Sequence, residues 1–158
     1  MENDAEKKLI NTNEGVQLAN KAILLDLKDG YSWYVLGNAH LTRFFIGGQD
    51  YEELNFALKA YTQAEHHSSY KNPDLYYNRA QIFSYLENYQ KAIADFEAAH
   101  LIDPELNGHE RAGKLIEFIK QCSYQVKNKS KGVKKLGKIA KTVPAALPPE
   151  EEIKFPSS

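Results

Sequence analysis

Apolar side chains recur at spacings of three and four along most of this chain, the periodicity of helices that bury one stripe. Val16, Ala19, Ile23 and Leu27 form the first stripe, and Trp33, Leu36, Gly37, His40 and Leu41 form a second after the turn-prone Lys28-Asp29-Gly30. A third runs Leu54, Ala57, Leu58, Tyr61 and Ala64; a fourth Tyr76, Ala80 and Phe83; a fifth Tyr89, Ala92, Ile93, Phe96 and Ala99. Breakers separate them at Gly47-Gly48, Asn72-Pro73, Glu87-Asn88 and Asp103-Pro104, where glycine, proline and asparagine end or start helices. Alternating strand patterns are absent, so the expected fold class is all-α.

The fourth and fifth helices read as one unit. Across residues 73–104 the small residues Ala80, Ala92 and Ala99 would let two antiparallel helices approach, and Tyr76, Phe83 and Phe96 would fill the space beside them. That spacing, closed by Pro104, resembles a tetratricopeptide repeat of about 34 residues, which implies a helical solenoid of antiparallel helix pairs. Arg79 is the exception, standing where an apolar residue is expected, either exposed or paired. Upstream, Trp33, Leu36 and Gly37 with Ala57, Tyr61 and Ala64 repeat the pattern, but Gly37 to Ala57 spans 20 residues where Ala80 to Ala92 spans 12. An eight-residue insertion near Phe44 to Tyr51 is the expectation. Gly15, Ala19 and Ala22 with Leu24-Leu25-Asp26 read as the second helix of an earlier unit whose first helix is missing, after a flexible N-terminus at 1–13. Leu115, Phe118, Ile119, Cys122 and Val126 place a capping helix over about His109 to Val126, so the repeat domain is expected at 14–126.

Charge refines the picture at the C-terminal end. The chain of 158 residues has a formal charge of −1, yet residues 127–141 hold seven lysines and no acid, so a basic strip follows a net acidic body. Val133, Leu136, Ile139 and Ala140 give the strip a short apolar stripe, read as a Lys-rich short helix. The four prolines of 142–158 suggest a disordered Pro/Glu tail. The N-terminus lacks an apolar signal run, no stretch reaches the roughly 20 apolar residues needed to span a bilayer, and one cysteine forms no intrachain disulfide; the cytoplasm or nucleus is the expected location.

No constellation for catalysis emerges. Cys122 lies on the apolar face of the cap helix, the five histidines lack metal spacing, and Gly47-Gly48 lacks the strand and lysine of a phosphate loop. The expectation is no enzyme, no metal and no cofactor. Binding fits better, because stacked helix pairs line a groove suited to an extended peptide. The repeat register puts Tyr31, Tyr34, Val35, Asn38 and Leu41 on that wall, with Asp74, Tyr77, Asn78, Gln81 and Ser84 from the next pair. The asparagine amides could pair with a ligand backbone, while Asp74 either caps its own helix or selects a ligand carrying a basic residue.

Ser32 to Asn38 (SWYVLGN), the long insertion, Ala60 to Glu65 (AYTQAE), Asn72 to Ala80 (NPDLYYNRA), Leu115 to Phe118 (LIEF) and Lys134-Lys135-Leu136 together resemble the tetratricopeptide repeat protein 5 family of stress-responsive factors. The resemblance covers about residues 14–141. It implies recognition of nascent tubulin N-termini on ribosomes, leading to tubulin mRNA decay, with Asp74 pairing with the arginine after the initiator methionine. It also implies contact of Lys131, Lys134 and Lys135 with ribosomal RNA phosphates. The alternative is a nuclear scaffold or transcriptional cofactor fragment in the stress response. The upstream repeats and the OB-fold domain of that family are missing from this sequence, and a membrane partner is not expected.

Overall fold

The computed structural model of the chain describes residues 2–69 and 71–127. Six α-helices follow one another: α1 (Glu2–Leu25), α2 (Gly30–Ile46), α3 (Tyr51–His67), α4 (Pro73–Tyr85), α5 (Tyr89–Ile102) and α6 (Gly108–Lys127), with one 3-10 turn at Pro104–Leu106. No strand occurs among the described residues. Each helix packs chiefly on its neighbours in sequence, as α1 on α2, α2 on α3, α4 on α5 and α5 on α6. The architecture is an all-α helical solenoid built from helix pairs.

The helix starts follow from their caps. Asp29, Asp50, Asn72 and Asn88 each precede a helix, and each side chain accepts from a backbone N–H of the first turn, satisfying donors that have no partner within the helix. Pro73 adds a preset first position to α4. The turn between α2 and α3 and that between α4 and α5 end alike. Gln49 (φ 62°) and Glu87 (φ 58°) are left-handed, then Asp50 or Asn88 caps, then Tyr51 or Tyr89 begins the next helix.

The expected insertion is absorbed mostly as helix. Relative to α4 and α5, α2 runs one turn further and α3 starts almost one turn earlier, leaving a loop of only four residues, Gly47 to Asp50. Phe44 anchors this longer hairpin, fully buried, with Phe45, Tyr51 and Tyr85 set edge-on around it at 5.2–6.0 Å between ring centres. The segment expected to be flexible at the N-terminus is a further difference, because α1 is helical from Glu2. Its polar residues give no apolar stripe before Leu9, so the periodicity had no means of reporting this helix. At the other end of that stripe α1 stops at Leu25, and Leu27 is exposed; its carbonyl accepts from the Trp33 indole at 3.0 Å.

One continuous core joins α2 through α6. Ala57, Ala64, Ala80, Ala92, Ala99 and Ala112 are fully buried where helices cross, with Leu41, Phe44, Leu54, Tyr61, Ile82 and Phe96 between them. Small residues at the crossings allow close helix approach, and each large side chain so buried stabilises by about 1.5–3 kcal/mol. A second cluster of Ala19, Ile23, Leu36 and Ala60 fastens α1 to the pair α2–α3. The cap helix α6 buries Gly108 and Ala112, while Cys122 is half-buried and Val126 exposed. The Lys-rich segment and the tail at 142–158 lie outside the described residues.

Candidate peptide-binding site

Two helix starts and one interhelix loop make the site. Asp29 caps α2 by accepting from the Tyr31 N–H at 3.0 Å and from the Ser32 hydroxyl, which fixes the first turn carrying Tyr31 and leads into Tyr34. Asn72 caps α4 by accepting from the Asp74 and Leu75 N–H groups at 3.0 and 3.4 Å. Asp74 therefore stands in the first turn of a helix, half-buried, where its carboxylate is favoured by the positive end of the helix dipole.

Tyr34 couples these two starts. Its ring is 3% exposed and stands between Tyr31, 6.4 Å away on the surface, and Tyr61, 6.3 Å away in the core. Burial raises the Tyr34 phenol well above its ordinary value, the neighbouring Asp74 carboxylate pushes in the same direction, and bonds with Asn38 and Asn72 only partly offset them. The hydroxyl is therefore a protonated donor at any physiological pH. Tyr31, Tyr34 and Asn72 also line a cleft of about 330 Å³, with Asp26, Lys28 and Asp29 on one side and His67, Ser68 and Ser69 on the other. Asp26 accepts from the Lys28 N–H at 2.9 Å. The cleft thus sets two carboxylates, Asp26 and Asp29, and one lysine, Lys28, beside two tyrosines, with Asp74 two residues beyond its lining residue Asn72.

The asparagines do not sit as the repeat register predicts. Asn38 is 2% exposed and Asn78 fully buried; the Asn38 Oδ1 accepts from the Tyr61 hydroxyl at 2.6 Å and from the Asn78 amide at 3.2 Å. Their amides knit α2, α3 and α4 together rather than facing a ligand. Gln81 is likewise buried at 1% exposure, and Tyr77 packs edge-on against Phe96 at 5.3 Å. The reason is geometric, since a helix register fixes a side chain's direction but not how closely the next helix covers it. Among the predicted wall residues Tyr31 is exposed, Val35 and Asp74 are half-buried, and Tyr34 borders the cleft from within. Lys131, Lys134 and Lys135 lie outside the described residues.

Arg79, expected either exposed or paired, is paired, and a second charged cluster joins α2 to α3. Arg79 makes a two-point bond with Asp95, at 2.6 and 2.9 Å, and a third bond with Glu65 at 2.6 Å, while the Tyr76 hydroxyl donates to Glu65 at 2.9 Å. These tie α3, α4 and α5 together. Burial opposes the charge of Glu65, yet the bonds from Arg79 and Tyr76 prevail and hold its carboxyl below the ordinary value. The only signal was Arg79 itself, a cation in an apolar register. Between α2 and α3, Glu53 is held by His40 at 2.7 Å and Arg43 at 3.0 Å, a pairing across the insertion that spacing alone hid.

Comparison with known proteins agrees with this geometry. The Tetratricopeptide repeat family profile matches residues 73–106, which comprise α4, α5 and the following turn. Residues 73–106 are a tetratricopeptide repeat. The chain is similar to the tetratricopeptide repeat protein 5 of Bos taurus and of Mus musculus, with 37% identity over 121 residues, and to that of Homo sapiens, with 36%. Each alignment covers 75% of this chain and 28% of the relative, so the chain spans under a third of the length of the curated relatives it matches. No helix among the described residues is long and apolar enough to cross a membrane.

Proposed function

We propose that this tetratricopeptide solenoid is a non-catalytic peptide-binding module whose ligand brings a basic residue to Asp74. The observation that supports this is the place of Asp74 in the first turn of α4, within electrostatic reach of Tyr34 and two residues from Asn72, which lines a cleft with Asp26, Lys28 and Asp29. An arginine guanidinium there would gain charge-assisted bonds worth about 1.5–3 kcal/mol, and Tyr31, 53% exposed, would supply a flat surface for its stem. A carboxylate ligand would meet repulsion instead.

The similarity to tetratricopeptide repeat protein 5 gives the finer form of the proposal. The ligand is the N-terminus of nascent tubulin, its arginine lies against Asp74, and Lys131, Lys134 and Lys135 contact ribosomal RNA phosphates, so that binding promotes tubulin mRNA decay. Its setting is the cytoplasm, with the nucleus as a second location. Titration of a labelled tubulin N-terminal peptide against the full chain tests the first part. We expect saturable binding, weakened about tenfold or more by Asp74→Asn and abolished when the peptide arginine is replaced by glutamate; equal binding of the two peptides would overturn it. For the lysines, co-sedimentation with ribosomes should fall steeply with salt, and more steeply in the wild type than in Lys134→Glu with Lys135→Glu.

A further inference from the structure

The outer face of α1 is exposed and carries an internally symmetric pattern. The inner face of this helix, Val16, Ala19 and Ile23, packs on α2 and α3. On the opposite side stand Ile10 (53% exposed), Glu14, Lys21, Leu24 (79%) and Leu25 (90%). With Leu18 (65% exposed) beside Leu25, these apolar side chains cluster on one side of the helix, and an exposed apolar cluster marks a contact surface. At 100° per residue Glu14 and Lys21 fall near the centre line of the face, with Ile10 and Leu24 towards one flank and Leu25 towards the other.

We propose that α1 docks antiparallel on α1 of a second copy of this chain, about a two-fold axis between Gln17 and Leu18. In antiparallel helices related by such an axis, residues whose numbers have a common sum lie at the same height. Here Glu14 of each copy meets Lys21 of the other, giving two ion pairs, and Ile10 of each copy lies against Leu24 and Leu25 of the other, giving two apolar contacts. The face is thus complementary to itself in charge and in hydrophobicity, as an isologous interface requires. A uniformly acidic or basic partner would leave either Glu14 or Lys21 opposed. One helix pair buries less than about 1,200 Å², the low end of specific interfaces, so the dimer is weak and exchanges with monomer. Tyr34 and Asp74 stand on α2 and α4, outside the paired α1 helices.

Sedimentation equilibrium of the full chain, from micromolar to millimolar concentration, tests the proposal with four proteins. Wild type should show a concentration-dependent monomer–dimer equilibrium. Glu14→Lys should weaken it about tenfold and Lys21→Glu likewise, because each creates like-charge pairs in place of two surface ion pairs. Glu14→Lys with Lys21→Glu in one chain should restore it, and so should mixing the two single variants, since both exchanges bring opposite charges together again. Far-ultraviolet circular dichroism checks that each variant keeps its helices. A wild type that stays monomeric throughout, or a double reversal no better than either single one, would overturn the proposal.

Discussion

Gly37 lies under the ring of Tyr61 so closely that a Cβ on it would come within 2.5 Å of the ring edge. In the next repeat the corresponding pair is Ala80 and Phe96, both buried. The larger polar ring therefore sits opposite the smaller backbone position. Tyr61 is fully buried and its hydroxyl donates to Asn38, so the ring is held from both ends and has little room to yield.

Gly37→Ala should accordingly destabilise the fold by about 1–3 kcal/mol, overpacking outweighing the better helix propensity of alanine. Gly15→Ala, in α1 with nothing within 4 Å of the added Cβ, should raise stability by about 0.5–1 kcal/mol. Urea unfolding of the two variants checks the sign of each. Equal effects would mean that contact with Tyr61 decides nothing.

Arg79→Ala leaves the Asp95 carboxylate, 8% exposed, without its two-point partner. The expected cost is about 3–5 kcal/mol, as for a buried pair broken on one side. Glu65→Gln should cost under about 1 kcal/mol, because that side chain is 41% exposed. Chemical denaturation giving the reverse order would place the weight of this network on the wrong partner.

Alkali should unfold the chain through its buried phenols. Burial raises Tyr34 and Tyr61 well above the ordinary value and, with a bond to Glu65, pushes Tyr76 up to about 12. A raised phenol favours folding while it stays protonated, so stability is complete below about pH 10, the ordinary tyrosine value, and is lost as pH climbs through the folded-state values. Tyrosinate absorbance should rise in two phases, exposed rings first, the second coinciding with loss of helical dichroism. A single phase near the ordinary value with helices intact would refute this.

The two residues of the Asn72-Pro73-Asp74 start can be separated. Asn72→Ala should cost about 1 kcal/mol of stability through the lost cap, whereas Asp74→Asn should cost less, about 0.3–0.5 kcal/mol through the weakened interaction with the helix dipole, while weakening binding of an arginine-bearing peptide. If Asp74→Asn destabilises as much as Asn72→Ala, the carboxylate serves the helix rather than a ligand.

How far the amino acids announced this arrangement depends on the range of each interaction. Ala80, Ala92, Phe96 and Ala99 revealed the helix pair because their burial follows from periodicity within a single helix and its immediate partner. Asn38 and Asn78 are 40 residues apart, and their bond exists only because α4 closes over α2; nothing in either helix alone distinguishes a covered amide from an open one. Arg79 stood out as a misfit, yet its partners lie on two other helices. Asp26 and Asp29 read as turn residues, and only the loop at Ser68 and Ser69 makes them part of a cleft.

The lengthened hairpin of α2 and α3 also alters the rim of the stack. One added turn of helix is about 5.4 Å, so its tip projects past the end of α4, and the Tyr51 and Tyr85 hydroxyls meet across that step at 3.3 Å. The overhang acts as a buttress: it clamps the neighbouring pair from beyond its own loop, so that prying the two pairs apart must first pull a ring of aromatics off a ledge.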